Sequence, residues 1–324
     1  MNTTLPARAA AATSHPDAAV DVTGIKRTFG RGRQAQTVLH DITFQVPQGQ
    51  VVGILGANGA GKTTLIKILA TLLTPTAGTA RVAGADITTD PQAVRRRISV
   101  VLGGDRGLYP RLSARQNLLF FGMLADVPRR VLKARAEALL QRMGLAEAAD
   151  RRVETFSKGM RQRLHLATGL VTDPQVMLLD EPTIGLDPEE ASRLRGTVRE
   201  LAGSGTTVLL TSHYLLDIDE MTDRVLMLRE GRITHDLTIS DFRRLAGHVG
   251  TLTVRGTGAP PRLPDALSHH STRHDRHGWR IEVPLPTWDP DLLTRLGQAF
   301  VEVPPHDVEV RPVTLDDVFS LVSR

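Results

Sequence analysis

Cysteine is absent from this 324-residue chain. That excludes disulfide frameworks, thiolate metal centres and cysteine nucleophiles together, and is compatible with a reducing compartment. Long apolar runs are missing too. Stretches such as Val51 to Leu55 and Val176 to Leu179 are strand-sized, short of the roughly 20 residues that cross a bilayer, so the chain is not expected to span a membrane by itself. Residues 1–19 are alanine-rich with scattered polar residues; they lack the regions of a secretory signal and read as a disordered tail. Aromatic residues make up only 4%, and neither sign of charge dominates: Lys and Arg number 40 against 35 Asp and Glu. Basic clusters such as Arg95-Arg96-Arg97 and Arg151-Arg152 are scattered and have no interleaved aromatics. They read as solvated helix faces, and no nucleic-acid partner is expected.

What is present is globular: 41% hydrophobic and 23% charged residues, enough for a sizeable core and for two domains. Residues 20–25 and 42–46 look like strands. The apolar run 51–55 leads through a glycine-rich loop into a helical pattern over 63–73. Residues 111–169 read as mostly helical, and strands return at 176–179, 207–210 and 225–228. Helices between parallel strands point to an α/β sheet covered on both faces, carrying a helical insertion at about 105–170. After about residue 245 prolines multiply and short strands are expected at 251–255, 279–283 and 308–310. We therefore expect a core domain over 20–245 and a small α+β domain over 246–324. Its last helix would start at Thr314, with Asp317 completing the cap, and bury Leu315, Val318, Phe319 and Val322. His269, His270, His274 and His277 raise a metal site, but their Ser, Thr, Asp, Arg and Gly neighbours read as a solvated hairpin loop.

The strongest chemical signal is Gly56-Ala57-Asn58-Gly59-Ala60-Gly61-Lys62-Thr63, a G-x-x-x-x-G-K-[ST] loop between strand and helix. Glycines let successive N–H groups turn toward a polyphosphate at a helix N-terminus. Lys62 would reach the β and γ phosphates, and the Thr63 oxygen would ligate Mg²⁺. The second signal is Val176-Met177-Leu178-Leu179-Asp180-Glu181, an apolar strand ending in two acids. Asp180 would hold Mg²⁺ through a water and Glu181 would act as general base on the attacking water. Alone, this segment also reads as a plain acidic turn.

With these motifs the chain resembles the nucleotide-binding subunit of ATP-binding cassette (ABC) transporters, over residues 20–245. Phe156-Ser157-Lys158-Gly159-Met160 stands where that family has its LSGGQ signature, with Ser157 and Gly159 at matching positions. The resemblance implies a P-loop NTPase cassette with a mixed sheet. It implies ATP held by Asn58, Gly59, Gly61, Lys62, Thr63 and Thr64, and a second cassette, expected to be an identical chain, whose Ser157 and Gly159 meet that nucleotide's γ-phosphate. Asp187 looks like the family's D-loop residue, and His213 like the switch histidine at the γ-phosphate. Phe29 falls where a ring stacks on adenine; a plain core phenylalanine is the alternative.

Two departures matter. The signature SKGM is a variant associated with ABC-2 type exporters, including the daunorubicin-resistance type of drug-efflux ATPase. The loop after the strand 98–102, where the family places a glutamine, runs Gly103-Gly104-Asp105-Arg106; Gly104 takes the position, and Asp105 would act in its place through a water. The expected function is ATP hydrolysis driving export through a separate permease at the cytoplasmic face of the membrane, docking near Leu108, Tyr109 and Arg111. A drug or secondary metabolite is the leading substrate class. Rival readings are an importer ATPase, a soluble cassette ATPase with a non-transport role, and a catalytically silent nucleotide-binding regulator.

Overall fold

The computed structural model describes residues 18–102, 107–261, 263, 270–275, 278–301 and 303–322. Residues 1–17 of the expected tail, the Gly103–Arg106 loop with Asp105, and His269 and His277 lie outside them; Ala18 and Ala19, also expected in that tail, instead open the first strand, where Ala19 is buried. The chain divides into two compact units, Met1–Asp236 and Leu237–Arg324.

In the first unit β1 (Ala18–Phe29) and β2 (Gln36–Pro47) form an antiparallel pair far longer than the apolar segments that announced it. There follow β3 (Val51–Leu55), α1 (Lys62–Leu69), β4 (Ala77–Val82), β5 (Ala85–Asp86), α2 (Pro91–Arg97) and β6 (Ile98–Val101). The helical insertion is α3 (Ala114–Leu124), α4 (Arg129–Arg142) and α5 (Lys158–Leu170). Then come β7 (Val176–Asp180), α6 (Pro188–Gly203), β8 (Thr207–Ser212), α7 (Leu215–Met221), β9 (Arg224–Arg229) and β10 (Arg232–Thr238).

Two sheets result. One has the order β2-β1-β4-β5 and is antiparallel; the other has the order β10-β9-β3-β8-β7-β6, with β9, β3, β8, β7 and β6 parallel. Every residue of β3, β7 and β8 is buried, as central parallel strands covered on both faces require. The main core lies between the two sheets and around α1, where Ile25, Ile42, Phe44, Leu65, Ile66, Leu69 and Leu178 meet. Parallel alignment brings the C-terminal ends of β3, β7 and β8 side by side. The phosphate loop, the acidic pair and the histidine each follow one of these strands.

The turn between β9 and β10 is Glu230-Gly231, both at positive φ, the type I′ geometry of a tight hairpin. Gly231 is tied inward: its N–H donates to Ala60 O at 3.2 Å, and its carbonyl accepts His40 N–H at 2.7 Å.

The second unit contains α8 (Ile239–Arg244), β11 (Gly250–Gly256), β12 (Ser271–Asp275), β13 (Gly278–Leu285), α9 (Pro290–Ala299), β14 (Asp307–Pro312) and α10 (Leu315–Val322). Its start at Leu237, rather than after Leu245, reflects α8, which packs against α10. The strands form an antiparallel sheet in the order β12-β13-β11-β14. Strict alternation turns Trp279, Ile281, Val283 and Leu285 of β13 inward, with Leu252, Val254, Leu296 and Phe300. The segment expected as a histidine hairpin loop contains β12, and His270 and His274 are exposed. In α10 Leu315 and Val318 are buried and Phe319 half-buried; the side chain of Val322 lies outside the described set. Thr314 N–H donates to Asp317 at 2.9 Å, the reciprocal half of the expected cap.

Candidate functional site

The loop after β3 bends in a way that only glycine allows at two positions. A Cβ on Gly56 would collide with the carbonyl oxygen of Leu228, and Gly61 caps α1 at φ 106° with Leu39 packed against it. Both constraints are steric, so the loop's N–H groups are turned by the backbone itself. Lys62, only 5% exposed, folds back over the loop and donates to Gly56 O at 2.7 Å and Ala57 O at 3.2 Å. Burial pulls its pKa down, while Glu181 and Asp180 beside it push the other way. Asn58, Gly59 and Thr63 are exposed on the loop and Thr64 is half-buried.

At the end of β7 the two acids diverge. Asp180 is buried and accepts three hydrogen bonds from two hydroxyls: Thr63 Oγ1 to both carboxylate oxygens, at 2.9 and 3.2 Å, and Thr211 Oγ1 at 2.5 Å. Glu181 stands at φ 50°, a strained conformation for a residue with a side chain. Its N–H is held by the carbonyl of Thr211 at 3.0 Å and by Thr211 Oγ1 at 3.1 Å. The Glu181 carboxylate reaches His213 Nδ1 at 3.0 Å with one oxygen and lies 3.8 Å from Lys62 Nζ with the other. The His213 ring lies 4.1 Å from that of Tyr214, centroid to centroid.

The structure thus brings Lys62, Thr63, Asp180, Glu181 and His213 together from three strand ends. The hard oxygen pair of Thr63 and Asp180, a hydroxyl against a carboxylate at the start of a phosphate-loop helix, suits Mg²⁺, which takes a few protein oxygens and leaves the rest to water and phosphate. Phe29, at the end of β1, is 38% exposed and has the Arg27 guanidinium over its ring, 4.5 Å from the centroid. It is therefore not a core residue.

Ser157, Gly159 and Asp187 are not drawn into this cluster: among the described residues no hydrogen bond or ion pair joins them to the phosphate loop. Ser157 is exposed and caps α5, accepting Met160 N–H at 3.1 Å. Gly159 is buried against the side chain of Glu190, which a Cβ would strike at 2.6 Å. Exposed Asp187 caps α6, accepting Glu190 N–H at 2.9 Å.

Several polar groups at this site escaped sequence reasoning: Thr211, Ser212, Thr183, Arg195 and Asp217, all buried. One signal was available, the Thr211-Ser212 pair closing an otherwise apolar run in β8.

A phosphate loop and an acidic pair on two parallel strands, with a histidine from the strand between them, define a P-loop nucleoside triphosphatase. Within that class the chain belongs to the ABC transporter family, whose model matches residues 39–184. It is 37% identical over 312 residues to the doxorubicin resistance ATP-binding protein DrrA of Mycobacterium tuberculosis, covering 94% of this chain and 93% of that protein. It is likewise 37% identical over 306 residues to the daunorubicin resistance ATP-binding protein DrrA3 of Streptomyces coeruleorubidus, covering 94% and 95%. Among solved structures it is similar to an ATP-binding subunit of an ABC transporter, with TM-score 0.62 and 29% identity over 70% of this chain and 93% of that one.

Proposed function

We propose that this chain is the ATP-hydrolysing subunit of an exporter, driving a drug or secondary metabolite through a separate membrane permease. The observation that carries the reading is the Glu181 carboxylate, placed between His213 at 3.0 Å and Lys62 at 3.8 Å beside the Thr63 and Asp180 oxygens. The names of the two drug-resistance relatives support the substrate class.

In this reading the N–H groups of residues 57–63 and the Lys62 ammonium hold the phosphates, and Phe29 stacks on the base. Thr63 and, through a water, Asp180 would hold Mg²⁺, which would supply charge neutralisation at the phosphate oxygens. Glu181 accepts a proton from the attacking water, and His213 keeps the Glu181 carboxylate oriented while reaching the γ-phosphate. The exposed hydroxyl of Ser157, beside Gly159, faces the nucleotide of a second, identical cassette, and Asp187 lies at the same contact.

Among the described residues no helix is long and apolar enough to cross a membrane; in this reading the permease is a separate chain, met at the cytoplasmic face. Its docking surface includes Tyr109 and Arg111, both exposed; Leu108, expected beside them, is buried and turned away from that surface. Tyr109 is 47% exposed, packs edge-on to Phe120 at 4.7 Å, and has its backbone N–H and carbonyl both held by the Asn117 side chain. Met123 and Leu124 on α3 extend the exposed apolar surface, a feature of protein-binding patches. The unit after Leu237 is the accessory domain.

The test is ATP turnover by the chain in complex with its permease, purified from native membranes. Glu181→Gln abolishes turnover while nucleotide binding persists, and replacing Tyr109 and Arg111 together releases the permease. Equal turnover by wild type and Glu181→Gln refutes the role of Glu181.

A further inference from the structure

Behind the reacting groups lies a third carboxylate that no step of hydrolysis uses. Asp217 projects from α7 and is 1% exposed. Its Oδ2 accepts hydrogen bonds from the hydroxyl of Thr183 and from that of Ser212, the latter at 2.9 Å; its Oδ1 accepts Arg195 Nη1 at 3.2 Å. Arg195 Nε also donates to Glu220 at 2.5 Å, and Ser212 Oγ accepts the N–H of Tyr214 at 2.9 Å. A buried charge with its oxygens satisfied in this way holds its neighbours in register; stripped of one donor, the same group becomes costly.

The two hydroxyls are placed tellingly. Thr183 stands two residues beyond Glu181, and Ser212 directly precedes His213. The covalent chain and the hydrogen bonds therefore close a ring: Glu181 to Thr183, Thr183 to Asp217, Asp217 to Ser212, Ser212 to His213, and His213 back to Glu181 at 3.0 Å. Inside this ring Glu181 keeps its strained φ of 50°, and such a conformation persists only where the surroundings over-determine it.

We propose that Asp217 is a positioning residue for hydrolysis, tying the segment that carries Glu181 to the segment that carries His213 and so setting the contact between them. Its hydrogen bonds and ion pair go to Thr183, Ser212 and Arg195 rather than to the phosphate loop, and it acts through its neighbours. The inference rests on the reading of Glu181 as base and His213 as its partner. The carboxylate is required for its charge and its acceptors as much as for its volume: an amide of the same shape offers one acceptor oxygen to three donors and turns its own N–H groups toward the rest.

The experiment compares wild type, Asp217→Asn, His213→Ala and the double variant in single-turnover ATP hydrolysis, with the cassette in excess so that slow residual rates are readable. Rates are expressed per nucleotide-binding site, and ATP affinity is measured separately. Asp217→Asn is expected to slow hydrolysis about tenfold or more, as small misplacements of reacting groups do, with ATP affinity changed less than about twofold. In the His213→Ala background the same substitution adds no further loss. Thr183→Val and Ser212→Ala, each removing one strut, lower the rate in the same direction by less, and they carry the test if Asp217→Asn does not fold.

A role confined to stability lowers the melting temperature and leaves the per-site rate intact, or multiplies the His213→Ala loss; either result overturns the proposal. If Glu181→Gln turns over ATP as fast as wild type, the underlying reading of Glu181 has failed. If that variant is inactive and Asp217→Asn is not, only the present inference has.

Discussion

Thr211 allows a quantitative test of how the two acids are held. Its hydroxyl, on a fully buried side chain, donates to Asp180 at 2.5 Å and accepts the N–H of Glu181 at 3.1 Å. Thr211→Val replaces that hydroxyl by a methyl of similar size, so no cavity opens and the loss is one of hydrogen bonding alone. A hydrogen bond to a carboxylate contributes about 1.5–3 kcal/mol. The Glu181 N–H keeps its bond to the Thr211 carbonyl at 3.0 Å, so most of the penalty falls on Asp180. A destabilisation of about 2 kcal/mol, at about 2–4 °C per kcal/mol for a unit of this size, lowers the melting temperature by about 4–8 °C.

The functional loss should show in the metal. With Thr63 as its only remaining described donor, Asp180 is less firmly oriented, and loss of an outer-shell partner typically weakens metal binding by roughly tenfold or more. ATPase assays across a Mg²⁺ titration should therefore show a half-saturating concentration raised about tenfold. Turnover at saturating Mg²⁺ should fall less than about threefold, because the Glu181 backbone is still held. The opposite split, with half-saturation unchanged and turnover at saturation collapsed, would show that the hydroxyl serves Glu181 and that the assignment of its two bonds is wrong.

Two further outcomes follow from the same geometry. Phe29→Ala should weaken ATP binding roughly tenfold, since stacking of a base on an aromatic ring is worth about 1–3 kcal/mol; inorganic triphosphate, which has no base, should bind as before, and an equal loss for both ligands would remove Phe29 from the base site. In the second unit, burial alone would raise the pKa of Asp317, but hydrogen bonds from Arg311 and Thr314 outweigh it and hold the carboxyl at about 2. The folded value lies below the unfolded one, so the stabilisation is present above about pH 4 and is lost as pH falls from there toward 2. Allowing for the 43% exposure of Arg311, it amounts to about 1 kcal/mol. The melting-temperature gap between wild type and Asp317→Asn should be constant at neutral pH and narrow below pH 4; a gap that widens in acid contradicts the sign.

The parts of the fold that were legible in the sequence are those in which local chemistry and burial agree. The run 51–55 is buried at every residue, and its boundaries are those of β3. The cap of α10 was readable because Thr314 bonds to nearby backbone, which needs no knowledge of the tertiary structure. What escaped were elements with weak periodicity. β4, Ala-Gly-Thr-Ala-Arg-Val, buries only Ala80 and Val82. α2 and α9 each begin with an Asp-Pro pair, as α6 does at Asp187-Pro188, with the aspartate capping and proline in the first turn, a start signal with a clear mechanism. The pair is not sufficient: Asp173-Pro174 leads into β7, with Asp173 at φ 59°.

For the site, motifs pointed to the groups that the proposed function sets against a ligand. They said nothing of Thr211, Thr183 or Asp217, whose roles arise from strands and helices far apart in the chain and leave no local spacing to read.

The hairpin turn Glu230-Gly231 carries an implication for how this sequence can drift. A two-residue turn between strands is ordinarily where a chain accepts substitution, a lengthened loop or an inserted peptide. Here the second position has no such freedom. A side chain on Gly231 would strike the carbonyl oxygen of Val38, and its backbone is bonded to Ala60 within the phosphate loop and to His40. The exposed Glu230 can vary while its neighbour cannot. A tag or reporter placed in this hairpin, a free surface by sequence alone, would be spliced into the support of the nucleotide loop.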